Sequence, residues 1–136
     1  MTQVWSSSSP HSEPLPQEIQ IFRGNTWSFT AEVRSASSGE IVDLTGYTGW
    51  FAVKARDSYS DTNILIWKRT DVAGEGSIVA PTTGRMLFTM LAADTSALAP
   101  GVYFWDFGIF DVDEKITCAR GQLELKLGVL HGVPAA

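Results

Sequence analysis

The chain has 136 residues and a mass of 14.8 kDa, the size of one ordinary domain. Hydrophobic residues make up 44% of it, which is typical of a folded core and excludes a disordered chain. With 10 Lys and Arg against 15 Asp and Glu, the net charge is −5, so the chain lacks the positive charge that a nucleic-acid-binding surface needs.

Cysteine content and the absence of long apolar segments narrow the class further. The single cysteine, Cys118, excludes an intramolecular disulfide and a zinc site built from several cysteines. No apolar stretch approaches the ~20 residues of a membrane-spanning helix. The N-terminus has no basic segment followed by an apolar one, so no secretory signal is predicted. We therefore expect a protein that folds in a cytoplasm and has no membrane partner.

The first residues differ in composition from the rest of the chain. Four consecutive serines, three prolines and few apolar side chains predict an extended or disordered arm over residues 1–16. Trp5 is an exception, because on a polar arm it exposes a large apolar surface unless it packs on its own domain or docks on a neighbouring subunit. Both alternatives stay open. If the arm becomes ordered on a neighbour, Trp5 and Leu15 are the candidate docking residues.

From residue 17 onward the dominant period is two, which is typical of β-strands with one buried face. Segments 27–34, 50–55, 64–70, 77–81, 84–91, 101–111, 116–119 and 121–130 are predicted strands, most of them separated by turn sequences rich in Gly, Ser and Asp. The residues predicted to face the core are Trp27, Phe29, Ala31, Val33, Phe51, Val53, Met86, Phe88, Met90, Tyr103, Trp105, Phe107, Ile109, Leu123, Leu125, Leu127 and Val129.

One segment has helical character. Asp94 is predicted to cap a single turn over residues 94–98, which Pro100 and Gly101 end. The fold class is therefore all-β, an antiparallel β-sandwich of about seven or eight strands with one short helical turn. The sandwich is expected to span residues 17–130 and to be followed by a short tail, 131–136.

The residues that could carry chemistry are isolated from one another. His11 and His131 lie in the terminal segments without a carboxylate or cysteine at ligand spacing. The acidic segment 111–115 lacks the spacing of a calcium-binding loop, and the glycines of 74–77 are not followed by a helix that could bind phosphate. Cys118 reads as a small buried hydrophobe. We expect no enzymatic activity, no metal and no cofactor.

Five tryptophans could form an aromatic platform for a glycan, such as one on a host surface. Trp27 and Trp105 lie on predicted core faces, whereas Trp50 and Trp67 lie in strands where either face is possible. The glycan-binding hypothesis requires at least two of four aromatic residues side by side on the surface: Trp5, Trp50, Tyr59 and Trp67.

Two motifs carry a family resemblance. The first is Asp-Leu-Thr-Gly at 43–46, and the second is D-T-x-x-L-x-P-G-x-Y at 94–103. The segments 21–26, 51–54, 84–90 and 116–125 occur with them in a characteristic order. In this order the chain resembles the immunoglobulin-like domain found at the N-terminus of phage baseplate upper proteins and in small stand-alone phage structural proteins. The resemblance covers about residues 19–128.

The motif residues have structural roles that physical chemistry explains. Gly46 suits a position of positive φ beside a strand, and the Asp43 carboxylate can accept a hydrogen bond from the backbone two residues on. Asp94 begins the helical turn, and the Tyr103 hydroxyl can reach a backbone carbonyl as in the tyrosine corner of other sandwiches. We expect these four residues to define the fold.

The resemblance implies a bacteriophage virion protein, an immunoglobulin-like assembly module of the tail tip or baseplate. It implies assembly in the host cytoplasm, other virion proteins as partners and a symmetric homo-oligomer. We expect no fibre-forming or receptor-binding extension, and this expectation favours a small building block of the particle. A capsid decoration protein and a glycan-binding adhesion module remain the alternatives.

Overall fold

The structure, a computed structural model, describes residues 2–7, 16–35, 38–55 and 64–127. In these ranges the chain forms nine β-strands: β1 (Thr2–Ser7), β2 (Pro16–Phe22), β3 (Trp27–Ser35), β4 (Thr48–Lys54), β5 (Ile64–Arg69), β6 (Gly76–Ala80), β7 (Arg85–Met90), β8 (Gly101–Phe110) and β9 (Lys115–Lys126). A 3₁₀ turn (Pro81–Thr83) precedes β7, and one short helix, α1 (Ala92–Ser96), connects β7 to β8.

The strands form two sheets that pack face to face. The order in the four-stranded sheet is β1-β3-β7-β6, and the order in the five-stranded sheet is β2-β9-β8-β4-β5. The all-β sandwich predicted from the sequence is confirmed. The structure has nine strands against the seven or eight expected, because β1 and β2 were not predicted, while the single strand β9 takes the place of segments 116–119 and 121–130.

Two pairings are parallel rather than antiparallel. β1 runs parallel to β3, and β2 runs parallel to β9. Both β1 and β2 are edge strands, so each needs hydrogen bonds on one side only and can join its sheet in either direction. In the first pairing Trp5 is in register with Val33, so residues 2–7 of the predicted arm lie along their own domain.

The facing sides of the sheets hold an aromatic core. Phe29 of β3 packs 5.1 Å from Phe51 of β4, measured between ring centroids, so the contact joins the two sheets. A second contact of this kind joins Phe88 of β7 to Phe107 of β8 at 5.7 Å. Both have the edge-to-face geometry that aromatic quadrupoles favour. Contacts between sheets therefore replace the disulfide that the sequence excludes.

The inward faces predicted for β3, β4, β7 and β8 are buried or partly buried, but in β4 the outward residues Trp50 and Ala52 are buried as well, so its burial does not alternate. The predicted core residues that are buried are Phe29, Ala31, Val33, Phe51, Val53, Met86, Phe88, Met90, Trp105, Phe107, Ile109, Leu123 and Leu125. Trp27 and Tyr103 are partly buried at the margin of this cluster. Leu127 is half-exposed because it follows the last residue of β9, and Val129 lies outside the described residues.

Helix α1 begins two residues earlier than predicted, and Asp94 is not its N-cap. Asp94 is the third helical residue, and its Oδ2 accepts a hydrogen bond from the backbone N–H of Leu91 at 2.7 Å. The same oxygen forms an ion pair with Nζ of the buried Lys68 of β5 at 2.8 Å. The predicted position of Asp94 was wrong. A carboxylate can accept a backbone N–H at the start of a helix either as the N-cap residue or, as here, from the third helical residue.

Glycine allows a close approach in the five-stranded sheet. The register between β8 and β9 shifts after Phe107, which leaves Cys118 as the extra residue of a β-bulge. A Cβ atom on Gly108 would lie 2.1 Å from the carbonyl oxygen of Ile116 and 2.2 Å from the Trp50 ring. The indole therefore lies across the backbone of β8, on the face of the sheet that points away from the core.

Substituting Gly108 with Ala tests this packing. The added methyl group must displace either backbone or the Trp50 ring, so we expect G108A to lower the free energy of unfolding by about 3 kcal/mol in urea denaturation. Gly74→Ala is the control, since Gly74 has positive φ but nothing within 4 Å of the added Cβ. G74A should cost about 1 kcal/mol from backbone strain. Equal losses in the two variants would contradict close packing at Gly108.

Candidate functional site

The outward face of the five-stranded sheet carries an ordered aromatic group centred on Trp50. Its indole Nε1 donates a hydrogen bond to Oδ1 of Asp106 at 3.1 Å. The ammonium of Lys115 lies 4.9 Å from the ring centroid, within the range of a cation–π interaction. Together with Phe110, 6.4 Å away between centroids, these groups leave Trp50 only 1% exposed. Trp50 is thus a rigid wall and not a free platform.

Beside Trp50 the same face opens into a pocket of about 410 Å³, here called the outer-face cleft. Period two places residues 50, 52 and 54 of β4 on one side of the sheet, and Ala52 pairs in register with Trp67 of the edge strand β5. The residues lining the cleft are Trp50, Ala52, Lys54, Ile64, Trp67, Asp106 and Lys115. Trp67 is 41% exposed, so it offers much of its ring to solvent.

Two of the four aromatics named in the glycan hypothesis, Trp50 and Trp67, line this one cleft. The arrangement differs from the side-by-side platform that the hypothesis requires, because Trp50 is covered and Trp67 alone of the pair is substantially exposed. Tyr59 and Leu15 lie outside the described residues. The backbone of Trp5 pairs with that of Val33 at the edge of the four-stranded sheet.

The outward face of the four-stranded sheet holds an ion-pair cluster. Glu32 is 5% exposed and accepts hydrogen bonds from Nε of Arg34 at 2.6 Å and from Nε of Arg85 at 3.3 Å. The hydrogen bond from Arg34 is the largest of the influences that lower the pKa of the Glu32 carboxyl, and burial opposes it. The cluster joins β3 to β7 and reads as a structural contact.

The turn motif at 43–46 has the geometry of an Asx turn. Oδ1 of Asp43 accepts hydrogen bonds from the backbone N–H of Thr45 at 2.9 Å and from its hydroxyl at 2.7 Å, which lower the pKa of Asp43. Gly46 follows with φ of 85°. Farther along the chain, the Tyr103 hydroxyl donates to the carbonyl of Ala99 at 2.6 Å, the kind of contact expected of a tyrosine corner. None of these residues lines the cleft.

The acidic segment after β8 is a hairpin turn. Oδ1 of Asp111 accepts hydrogen bonds from the backbone N–H groups of Asp113 and Glu114 at 2.8 and 2.9 Å. Oε1 of Glu114 accepts from the Tyr47 hydroxyl, and this bond raises the pKa of Tyr47 to about 12. Several carboxylate oxygens of this segment are thus used within the turn and in the contact with the loop before β4.

Groups with catalytic potential are sparse in the described part of the chain. Within the ranges that the structure describes, no three or more His, Cys, Asp or Glu side chains are grouped to hold a metal ion. Burial of the Cys118 thiol raises its pKa to about 12. Among the same residues, no helix is long and apolar enough to cross a membrane. His11 and His131 lie outside the described residues.

Sequence reasoning did not find the group formed by Trp50, Asp106 and Lys115. The three residues come from β4, β8 and β9, and sheet order alone makes them neighbours. One signal was present: Gly108 interrupts an otherwise apolar and aromatic strand, and a glycine inside a strand often marks a close approach by another group.

Comparison with solved structures shows a fold similar to that of a phage protein domain, and two other structures match with lower scores. The N-terminal domain of phage TP901-1 ORF48 superposes with a TM-score of 0.57 at 11% identity, over 93% of this chain and 99% of that domain. Auracyanin A, a blue copper protein from the green thermophilic photosynthetic bacterium Chloroflexus aurantiacus, gives 0.45 at 15% identity, over 93% and 100%. Murine CEACAM1b gives 0.33 at 16% identity, over 82% and 51%. No protein-family model matches the sequence, and no curated protein does.

The Glu32 cluster predicts a pH dependence of stability. Because its folded pKa lies below the ordinary value of 4.5, the ionised carboxylate stabilises the fold above that pH, and the contribution is lost as the pH falls through the folded pKa. We expect Glu32→Gln to unfold at lower temperature than wild type at pH 7, with the difference shrinking on acidification. Glu124→Gln, on the exposed side of β9, controls for removal of one charge. A difference that is constant with pH would contradict this role.

Burial of Cys118 predicts slow thiol chemistry. With a pKa of about 12 the thiolate fraction at pH 8 falls far below that of an exposed cysteine. Reaction with a disulfide reagent should be slower by on the order of a thousandfold in the native protein than in the urea-unfolded chain. Absorbance of the released thiolate measures both rates. Labelling of the native protein as fast as the unfolded chain would show that the bulge opens readily.

Proposed function

We propose that this chain is a structural module of a bacteriophage virion, part of the tail tip or baseplate, where it assembles with other virion proteins. The observation that carries the proposal is the fold similarity to a domain of a phage protein over nearly the whole length of both chains. The order of the motifs at 43–46 and 94–103 supports it independently, since that order resembles a phage structural domain.

The form of the described domain suits a role in assembly. Its core is packed with aromatic rings from both sheets, so the sandwich is a rigid unit that presents surfaces to neighbours. Four strands (β1, β2, β5 and β6) end the two sheets, and exposed apolar side chains such as Leu65 on β5 and Val79 on β6 lie along them. Neighbouring subunits would cover such edges, which otherwise invite uncontrolled pairing. On this basis we propose a symmetric oligomer.

The N-terminal arm is the second element of the proposal. Residues 2–7 pair with β3 at the edge of the four-stranded sheet, which makes that edge a place where an added segment can bind through its backbone. We propose that Trp5 and Leu15 contact a neighbouring protein in the particle and that burial of their side chains in that contact stabilises the assembly.

Mass spectrometry of purified particles, separated into heads and tails, tests the proposal. We expect peptides of this chain in the tail fraction at low copy number, with major capsid and tail-tube proteins as markers of each fraction. High copy number on heads would instead favour capsid decoration. Absence from both fractions would overturn a virion role.

Particles from a phage that carries Trp5→Ala and Leu15→Ala test the arm in the same experiment. The double variant should be depleted from the tail fraction while the purified protein keeps its unfolding temperature. Val112→Ala is the matched control, because Val112 is an apolar residue 98% exposed in the turn between β8 and β9. Normal incorporation of the double variant would exclude arm docking.

A further inference from the structure

We propose that this domain is a load-bearing link, in which the pairing of β2 with β9 resists tension applied between the two ends of the sandwich. The observation that carries the inference is the direction of this pairing, which is parallel over seven residues, 16–22 with 120–126. The load-bearing role rests on the proposed virion function, in which a neighbouring protein holds the arm. The resistance itself is a property of the isolated chain and is measured on it.

The order of the strands places β2 and β9 in the path of such a load. β2 is the first strand of the five-stranded sheet along the chain, β9 is the last described strand of the sandwich, and the two are direct neighbours. Because they run parallel, the chain enters β2 at one end of the pair and leaves β9 at the other. Tension between the preceding and the following segments therefore acts along the strands, and β2 must slide past β9 to separate from it.

The hydrogen bonds between the two strands share a load of this direction. The backbone N–H of Arg23 donates to the carbonyl of Lys126 at 2.8 Å, and alternate residues of a paired strand direct their backbone groups to the same side. The N–H groups of residues 17, 19 and 21 therefore point to β9 as well. Sliding strains all of these bonds at once, whereas opening the pair from one end breaks them one after another.

Buried side chains oppose sliding as well. Ile19 and Ile21 of β2 lie in register with Leu123 and Leu125 of β9. Ile21 and both leucines are buried, and Ile19 packs at the margin of the same core. A shift of β2 by one residue would turn both isoleucines to the outward face of the sheet, since successive side chains of a strand point to opposite sides.

The turn after β2 is bonded to helix α1 and to the segment that follows it. The backbone N–H of Gly24 donates to the hydroxyl of Thr95 at 2.9 Å, and Thr95 is buried. The Arg23 guanidinium donates to the carbonyl of Leu98 at 3.4 Å. These bonds lie at the end of β2 that is farther from a load applied at its first residue. They therefore hold the strand from behind while it is pulled.

Single-molecule force spectroscopy on the full chain tests the proposal by comparing two directions of load on one variant, Val112→Cys. Handles at the two termini pull β2 and β9 along their length. Handles at the N-terminus and at position 112, in the turn before β9, act at the same end of the pair and open it bond by bond. Val112 is 98% exposed, whereas Cys118 is buried and has a pKa of about 12, so a thiol-linked handle attaches at 112.

We expect the main unfolding event to need about twice the force or more between the termini, because forced unfolding is governed by the rate of the step on which the load acts. β1 precedes β2 in both arrangements, so its release does not contribute to the difference. Equal forces in the two directions would overturn the proposal, whatever the virion fractions show.

Two substitutions separate the strand pair from overall stability. Ile21→Ala removes core contacts of β2, and Ile78→Ala removes contacts of the same kind from β6, which lies outside the path of the load. Both should lower the urea midpoint, but only Ile21→Ala should lower the force between the termini, by about a quarter or more. An equal loss of force in the two variants would contradict the proposal. The comparison of directions needs neither variant, so it decides the proposal even where one of them does not fold.

Discussion

Edge-to-face packing of phenylalanine rings across the sandwich is the interaction on which the other features depend. Phe29 and Phe88 from one sheet meet Phe51 and Phe107 from the other at 5.1 and 5.7 Å between centroids. Because each ring comes from the middle of its strand, these contacts set the separation and relative position of the sheets. The turns and outward faces follow from that placement. Because the chain has a single cysteine, no intramolecular disulfide can hold the two sheets together in place of these contacts.

The connection between the sheets shows how polar groups are accommodated around this core. Lys68 is buried yet paired with Asp94 at 2.8 Å, and the hydroxyl of buried Thr95 accepts the backbone N–H of Gly24 at 2.9 Å. Helix α1 is thus bonded to β5 and to the turn after β2 while it links β7 to β8. Among the described residues the buried polar and charged side chains, Glu32, Lys68 and Thr95, each have a partner, which is the condition for placing charge at the margin of a core.

The two outward faces have different chemistry, and the difference bears on function. On the four-stranded sheet Glu32 is neutralised by two arginines, so the polar groups there are used within the fold. On the five-stranded sheet Trp50, Asp106 and Lys115 form a rigid border, and the ring of Trp67 remains open beside them. The polar groups of the first face are thus paired within the fold, whereas part of the second face stays open to solvent at Trp67.

The sequence by itself determined the fold class and most of the core. Alternate residues of a strand point to opposite faces of the sheet, so apolar residues at every second position indicate the buried face without knowledge of the strand's neighbours. Turn chemistry was equally local: Asp43 and Gly46 act on backbone within two residues of themselves. The position of Asp94 in its helix was missed, since a carboxylate one turn away can serve the same N–H. Only the tertiary structure decided that Trp50 is covered and Trp67 is open. Both lie in strands of similar pattern, and their exposure depends on neighbours from β8 and β9 that sheet order, and not chain order, brings to them.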